Sequence, residues 1–283
     1  MNRVLLAGAT GYLGGYIAAE LQHSSCFCRA IVRNPAKLKN KGVSVDDIFA
    51  AELTEPATLQ GCCQGMDTVI STVGITRQKD GLSYMDVDYQ ANLNLLAEAK
   101  KNGVKKFIYV SVLNGEKLRH LQICAAKERF VAELRKSGLD YCIVRPNGFF
   151  SDMAEFFRMA QQGRIYLFGS GELRANPIHG ADLARCCVAA INGSEEEIAI
   201  GGPETLSQRE IALRAFAVAG KPPKITCIPD WLRVAVLRLA KIFTPAKTYG
   251  PLEFFLTVMA MDMLAPEYGS HRIKDFFATL KNQ

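Results

Sequence analysis

The feature that most constrains this chain is Gly8-x-x-Gly11-x-x-Gly14, set between the short apolar run Val4-Leu5-Leu6-Ala7 and the helical pattern of Tyr16 to Leu21. A continuous apolar run of this length reads as a strand buried on both faces. The order strand, glycine turn, helix gives such a motif its meaning. Gly8 permits the tight turn, Gly11 lets backbone approach a pyrophosphate, and Gly14 lets the helix pack against the strand. The helix N-terminus adds N–H groups and a partial positive charge. A bare tight turn is the alternative. Thr10, Tyr12 and Leu13, between the glycines, join them as expected cofactor contacts.

A second strand, Cys28 to Val32, ends at Arg33, with Lys37 shortly after and no acid close by in sequence. A dinucleotide site for NAD carries a carboxylate here for the ribose 2′-OH. A guanidinium instead suits a 2′-phosphate, which it grips with two parallel hydrogen bonds. NADP (NADPH) is therefore the expected cofactor; otherwise Arg33 is a solvated charge at a strand end.

The alternation continues with strands at 45–50, 68–72, 107–111 and 141–145. Helices are expected at 55–60, 87–102 and 120–136. This predicts an α/β fold, a doubly wound parallel sheet (Rossmann) with a smaller, mostly helical C-terminal substrate region. The expected domains are 1–150, binding the dinucleotide, and 151–283, binding or capping the substrate and interleaved with the first. Helices are expected at 151–162, 180–191, 207–219, 230–243 and 251–262, and Ile198-Ala199-Ile200 is a candidate strand returning to the first sheet.

Composition excludes several classes. Of 283 residues, 49% are apolar and 22% charged, which rules out disorder, collagen and coiled coil. The net charge of +6 suits an anionic small ligand, and without a clustered basic stripe no nucleic acid is expected as a partner. Nine cysteines without a C-x-x-C signal neither a disulfide framework nor a metal site, so none is expected. The first residues enter a strand at once, leaving no room for a signal peptide. Phe254 to Met261 is far short of the ~20 residues of a spanning helix. A cytoplasmic protein, monomer or homodimer, is the expectation.

With these residues in view, the chain resembles the atypical and extended short-chain dehydrogenase/reductase superfamily, within it the NAD(P)H-binding, NmrA-like group. The resemblance runs from Met1 to about Ile191. It rests on the glycine motif, Arg33, Asp88-Tyr89-x-x-Asn92, Ser111, Lys127, Arg145-Pro146-Asn147-Gly148-Phe149-Phe150 and Ile178-His179-Gly180-Ala181-Asp182-Leu183-Ala184. A looser similarity, over Leu118 to Phe150 and Phe168-Gly169-Ser170-Gly171, is to divinyl chlorophyllide reductases and related photosystem-assembly proteins. The resemblance implies that Lys127 hydrogen-bonds the nicotinamide ribose, that Pro146 and Asn147 hold its carboxamide end, and that Ser111 with Lys127 serves catalysis. It also implies a Tyr-x-x-x-Lys pair for proton transfer, yet the stretch reads Ile123-Cys124-Ala125-Ala126-Lys127.

The proton donor is thus open. His120, expected one turn before Ile123, has a suitable titration range, or is simply solvated. Cys124 shares a face with Lys127, or is an inert buried thiol. Tyr84 and Tyr89 follow the fourth strand, and Tyr89 otherwise packs within its helix. Asn114, His120, Phe149 and His179 are candidate substrate contacts; Asp182 either lines the cleft with His179 or caps its helix. The expected function is an NADP(H)-dependent oxidoreductase on a small-molecule organic substrate. The alternatives are a non-catalytic NADP(H)-binding sensor or assembly factor, and an epimerase or dehydratase, against which the missing tyrosine counts. Finally, Asp230 as N-cap would start a helix through Phe243 whose Arg233, Arg238 and Lys241 fall within about 140° of its surface. Such a helix packs on the core with its cations in water, or rests on a membrane surface or partner without inserting.

Overall fold

From β1 (Arg3–Ala7) the chain turns through the glycines into α1 (Tyr12–His23), and Val4 to Ala7 are fully buried. The computed structural model describes residues 1–75 and 81–282. β2 (Phe27–Val32) follows, then α2 (Pro35–Asn40), whose start is fixed by the Asn34 side chain accepting from Ala36 N–H and by Pro35 in the first turn. β3 (Asp47–Ala50), a 3₁₀ turn (Pro56–Leu59) and β4 (Thr68–Ser71) come next. The helix expected at 87–102 opens instead as a π-helical turn, Met85–Ala91, and becomes α3 (Asn92–Lys101). β5 (Lys106–Val110), α4 (Gln122–Arg135) and β6 (Asp140–Pro146) complete the first run. Helix α4 starts two residues after His120, which lies in the preceding turn, exposed, and not on the helix.

α5 (Phe150–Gln162), β7 (Ile165–Phe168), β8 (Arg174–Ala175), α6 (Gly180–Ala189) and β9 (Glu197–Ile200) continue the chain. β10 (Leu206–Ser207), α7 (Gln208–Ala219), β11 (Ile225–Ile228), α8 (Asp230–Phe243), α9 (Ala246–Val258) and α10 (Ile273–Lys281) finish it. Helix α9 lies earlier than the 251–262 expected, and Pro251 sits inside it as its sixth residue, past the first turn. Asp230 is the first helical residue of α8, not its N-cap: Pro229 holds that place, and Asp230 pairs with Arg233. Helices α2 and α10 are not predicted by the patterning.

Two compact units result, Met1–Arg145 with Leu183–Ile198, and Pro146–Asp182 with Ala199–Gln283. The crossover at 145 falls five residues before the division expected at 150, and the chain returns to the first unit for residues 183–198. In the first unit a seven-stranded sheet runs β3-β2-β1-β4-β5-β6-β9, parallel throughout its six leading strands. The strand order reverses between β1 and β4, the topological switch point at which open α/β sheets bind ligands. Against the sheet packs an apolar cluster that includes Leu5, Val69, Leu95, Phe107, Tyr109 and Phe130. Each such side chain is worth ~1.5–3 kcal/mol on burial.

The second unit has its own core, with Phe150, Phe156, Phe157, Ile211, Phe216 and Phe277 at its centre. Helix α7 there carries a complete capping box, Ser207 and Glu210 bonding each other's backbone N–H groups. β7 pairs with β11 in parallel and β8 with β10 antiparallel.

Candidate functional site

Within the first unit, the segments that leave β2, β1, β4 and β5 all emerge at the carboxyl edge of the sheet, in that spatial order. They carry Arg33, Gly8, Gly74 and Ser111 respectively.

The glycine turn is built as the motif demands. Gly8 lies at φ +91°, and a Cβ there would press on Thr72 after β4. Gly11 N–H closes the turn on Gly8 C=O at 2.8 Å. At Gly14 a Cβ would stand 2.7 Å from the Gly8 carbonyl carbon and 2.8 Å from Ala9 Cα. Helix α1 begins with Gly11 as N-cap, no side chain caps it, and its first turn holds no acid. An uncapped N-terminus behind a glycine turn fits a diphosphate. Leu13 is buried in the core, so only its backbone can serve a ligand, while Thr10 and Tyr12 are half-buried. Lys41 Nζ donates to Thr10 C=O at 2.7 Å and ties α2's end to the turn.

Arg33 follows β2 with 59% of its side chain exposed. The sequence offered no acid near it, but the fold supplies one: Glu52 Oε2 stands 3.6 Å from Arg33 Nε. Pairing of Val32 with Ala50 brings residues 51–52 beside 33, which no spacing rule within β2 reveals.

Beyond β4 the site is ionic. Lys127 Nζ, on α4, lies 3.0 Å from Asp88 Oδ1 in the π-helical turn, and Ile75 N–H donates to Asp88 Oδ2 at 3.1 Å. Gly74 covers the pair so closely that a Cβ there would stand 2.8 Å from Nζ. Burial pushes the Asp88 carboxyl up, against the pull of Lys127 and the Ile75 N–H. Burial works to lower Lys127, but the Tyr109 and Asp88 oxygens outweigh it and hold the ammonium above its ordinary range. In the sequence Asp88 stands out only within Asp88-Tyr89-x-x-Asn92, and nothing there pairs it with Lys127.

The phenol beside this lysine is Tyr109 of β5, its ring centroid 5.4 Å from Nζ. Residue 123, where the resemblance puts a tyrosine, is a buried isoleucine. Tyr109 is fully buried, its hydroxyl has no hydrogen-bond partner among the described residues, and desolvation moves its pKa to about 12. Cys124 is buried, and desolvation, against the attraction of Lys127, raises its thiol to about 12, which disfavours a thiolate there.

Ser111 Oγ lies 3.3 Å from Glu128 Oε1, and Arg145 grips the same carboxylate through both terminal nitrogens, at 2.5 and 3.1 Å. Tyr89 packs under Arg129, whose guanidinium carbon is 4.5 Å from the ring centroid, and Tyr84 is buried. Asn114 adopts φ +57° in the turn after Ser111, and its carbonyl accepts from Lys117 and Leu118 N–H.

Pro146, Asn147, Phe149 and His179 belong to the second unit. Asn147 is buried and spends its amide on Asn176 Oδ1 and Met263 C=O, while its oxygen accepts from Gly148 N–H. Phe149 is N-cap of α5 and bridges to Ile178. His179 stacks on His271 with centroids 4.2 Å apart, and its Nδ1 accepts from Ala181 N–H. Burial, then His271, lowers the His179 pKa against Asp182. Asp182, fully buried, accepts from Ser270 and His271 N–H and meets the His271 ring at 2.9 Å. It ties residues 270–271 to α6 as well as standing in that helix's first turn. No cluster of three potential metal ligands occurs among the described residues.

A parallel sheet whose switch point carries a glycine turn, an uncapped helix start and a strand-end guanidinium defines a dinucleotide-binding Rossmann protein. The chain belongs to the NAD(P)H-binding, atypical short-chain dehydrogenase/reductase family, whose pattern matches residues 8–194. It is 28% identical to the chloroplastic divinyl chlorophyllide a 8-vinyl-reductase of Arabidopsis thaliana, over 97% of this chain and 76% of that protein. It is also 28% identical to the photosystem II assembly factor Ycf39 of Synechocystis sp., over 86% of this chain and 74% of that one. In fold it matches the Escherichia coli NADPH-dependent quinone oxidoreductase QOR2, solved with NADPH, at TM-score 0.73 and 19% identity over 99% and 100% of the two chains. No helix among the described residues is long and apolar enough to cross a membrane.

Proposed function

We propose that this chain is an NADPH-dependent reductase of a small conjugated, electrophilic substrate. One observation carries this reading: the glycine turn, Arg33 and the Lys127–Asp88 pair all stand at the same carboxyl edge of the parallel sheet. When bound, NADPH supplies a hydride from nicotinamide C4. The glycine turn and the α1 start hold its diphosphate, and Arg33 holds the 2′-phosphate in place of its loose contact with Glu52. Lys127, kept charged by Asp88, offers a fixed donor to the nicotinamide ribose.

Reduction also needs one proton, and Ile123 cannot give it. Tyr109 is wholly buried and cannot reach a substrate, so the proton comes from solvent water. That fits addition across a conjugated C=C or a quinone, where the developing anion is delocalised and needs no phenol pressed against it. The relatives that reduce a vinyl group and a quinone support the same substrate class.

Loss of NADPH absorbance with a panel of enones and quinones tests the reading. Binding by calorimetry with no consumption of any of them would overturn it. That result would favour a cofactor-sensing or assembly role, for which Ile123 is the specific observation and the assembly-factor relative the precedent.

The cofactor preference has its own test. Arg33→Ala is expected to weaken NADPH by about ten- to a hundredfold, the worth of a charge-assisted bond. NADH affinity should hold steady or improve, since Glu52 is then free to accept from a ribose 2′-OH. Equal losses for both dinucleotides would show that Arg33 does not read the 2′-phosphate.

A further inference from the structure

Helix α8 is nearly all surface. Ten of its fourteen residues are apolar, yet Ala240 is the one buried side chain among them. Trp231 is 68% exposed, Ile242 73% and Phe243 77%, with Leu232, Val236 and Leu239 exposed as well. At ~100° per residue, these six fall on one continuous arc of about 140°, with Trp231 at one edge and Val236 at the other. Arg238 and Lys241 border that arc beyond Trp231. Of the three cations expected to share a face, Arg233 is turned away: it pairs with Asp230 and donates to Leu256 C=O in α9. Arg238 and Lys241 have no ion-pair partner among the described residues, and α8's single acid is the one Arg233 holds.

Scattered exposed apolar residues need no explanation, but a contiguous ridge does. We infer that α8 is a peripheral docking helix that lies flat on an anionic lipid bilayer. Aromatic rings at its two ends suit the level of the headgroups, and the aliphatic ridge between them suits the acyl boundary beneath. The two cations on its border reach toward lipid phosphates while their stems stay apolar. Charge decides between occupants: two copies meeting antiparallel through this face would set cations against cations, and in either direction the arc offers no acid to answer them. The helix is too short to span, so binding is interfacial. The inference stands apart from the cofactor reading and can fail without it.

Trp231 is the chain's sole tryptophan, so its emission reports on this helix alone. Full-length protein without NADPH is mixed with vesicles of phosphatidylcholine, or of phosphatidylcholine and phosphatidylglycerol at 3:1. The expected result is co-sedimentation with the anionic vesicles and a blue shift of the emission, both weakened by salt. Arg238→Glu with Lys241→Glu should cut the partitioning by about tenfold or more. Leu239→Asp with Ile242→Asp should abolish it, with the melting temperature and NADPH affinity of the parent retained because both side chains face solvent. Emission unmoved by the anionic vesicles would overturn the inference. So would a blue shift that appears without lipid as protein concentration rises and tracks a dimer in sedimentation velocity, since the face would then belong to a second copy.

Discussion

Replacing Lys127 by methionine is expected to cost the fold about 3–5 kcal/mol at neutral pH, because it strands a buried carboxylate. Asp88 is wholly inaccessible, and its remaining donor would be the Ile75 N–H. The cost should depend on pH in a defined direction. Burial already raises Asp88, and removing the ammonium raises it further. Between the unfolded carboxyl's ordinary pKa and this higher native one, the folded variant binds a proton that the unfolded chain does not. Its stability therefore increases as pH falls through the native value, and the gain is complete once the unfolded pKa is passed. Urea unfolding of parent and variant at pH 7 and pH 5 measures this, with the gap between them narrowing at pH 5.

Asp88→Asn combined with Lys127→Met should recover most of the loss, since no uncompensated charge is left. A Lys127→Met protein as stable as the parent at pH 7 would mean that water reaches Asp88. The double variant also separates stability from function: if it folds but binds NADPH more weakly, the lysine has a role toward the cofactor beyond neutralising its neighbour.

Much of this architecture is legible in the sequence because the strands of the parallel sheet are buried on both faces and read as unbroken apolar runs. Val4 to Ala7 and Phe107 to Val110 need no partner to be recognised. The glycine turn is legible because each glycine answers a local steric demand. What escaped are relations set by register and long-range packing. Glu52 stands beside Arg33 only because β2 and β3 pair in a particular register. Asp88 meets Lys127, and Asp182 meets His271, across separations that periodicity cannot see. His120 was expected on α4, but the chain between Asn114 and Leu121 is held in successive turns, and the helix starts only at Gln122. Tyr109 reads as one more apolar strand residue, and nothing in its neighbours tells that its phenol lies beside the one ammonium in the core of the site.

Arg145 is the second place where one substitution should be severe. It reads in sequence as a charge ending a strand before Pro146, yet its side chain is 5% exposed and that of its partner Glu128 1%. Its guanidinium forks onto Glu128, and its Nε donates to Glu197 Oε1 at 2.5 Å. Glu197 is held from outside by Arg135 at 2.6 Å. Arg145→Met should destabilise by about 3–5 kcal/mol, since Glu128 stays buried with only Ser111 Oγ beside it. Arg145→Lys should recover only part of that, because an ammonium cannot reproduce the fork. Arg145→Met with Glu128→Leu should come back close to the parent, leaving Glu197 to Arg135 and solvent. Thermal and denaturant unfolding of the three proteins decide it. The same network gives Ser111 a structural duty, its hydroxyl turned toward Glu128. If it has no other, Ser111→Ala should cost about 1 kcal/mol and leave NADPH turnover intact. If turnover falls while stability moves no more than that, Ser111 reaches the substrate, and Arg145 and Glu128 become the groups that position it.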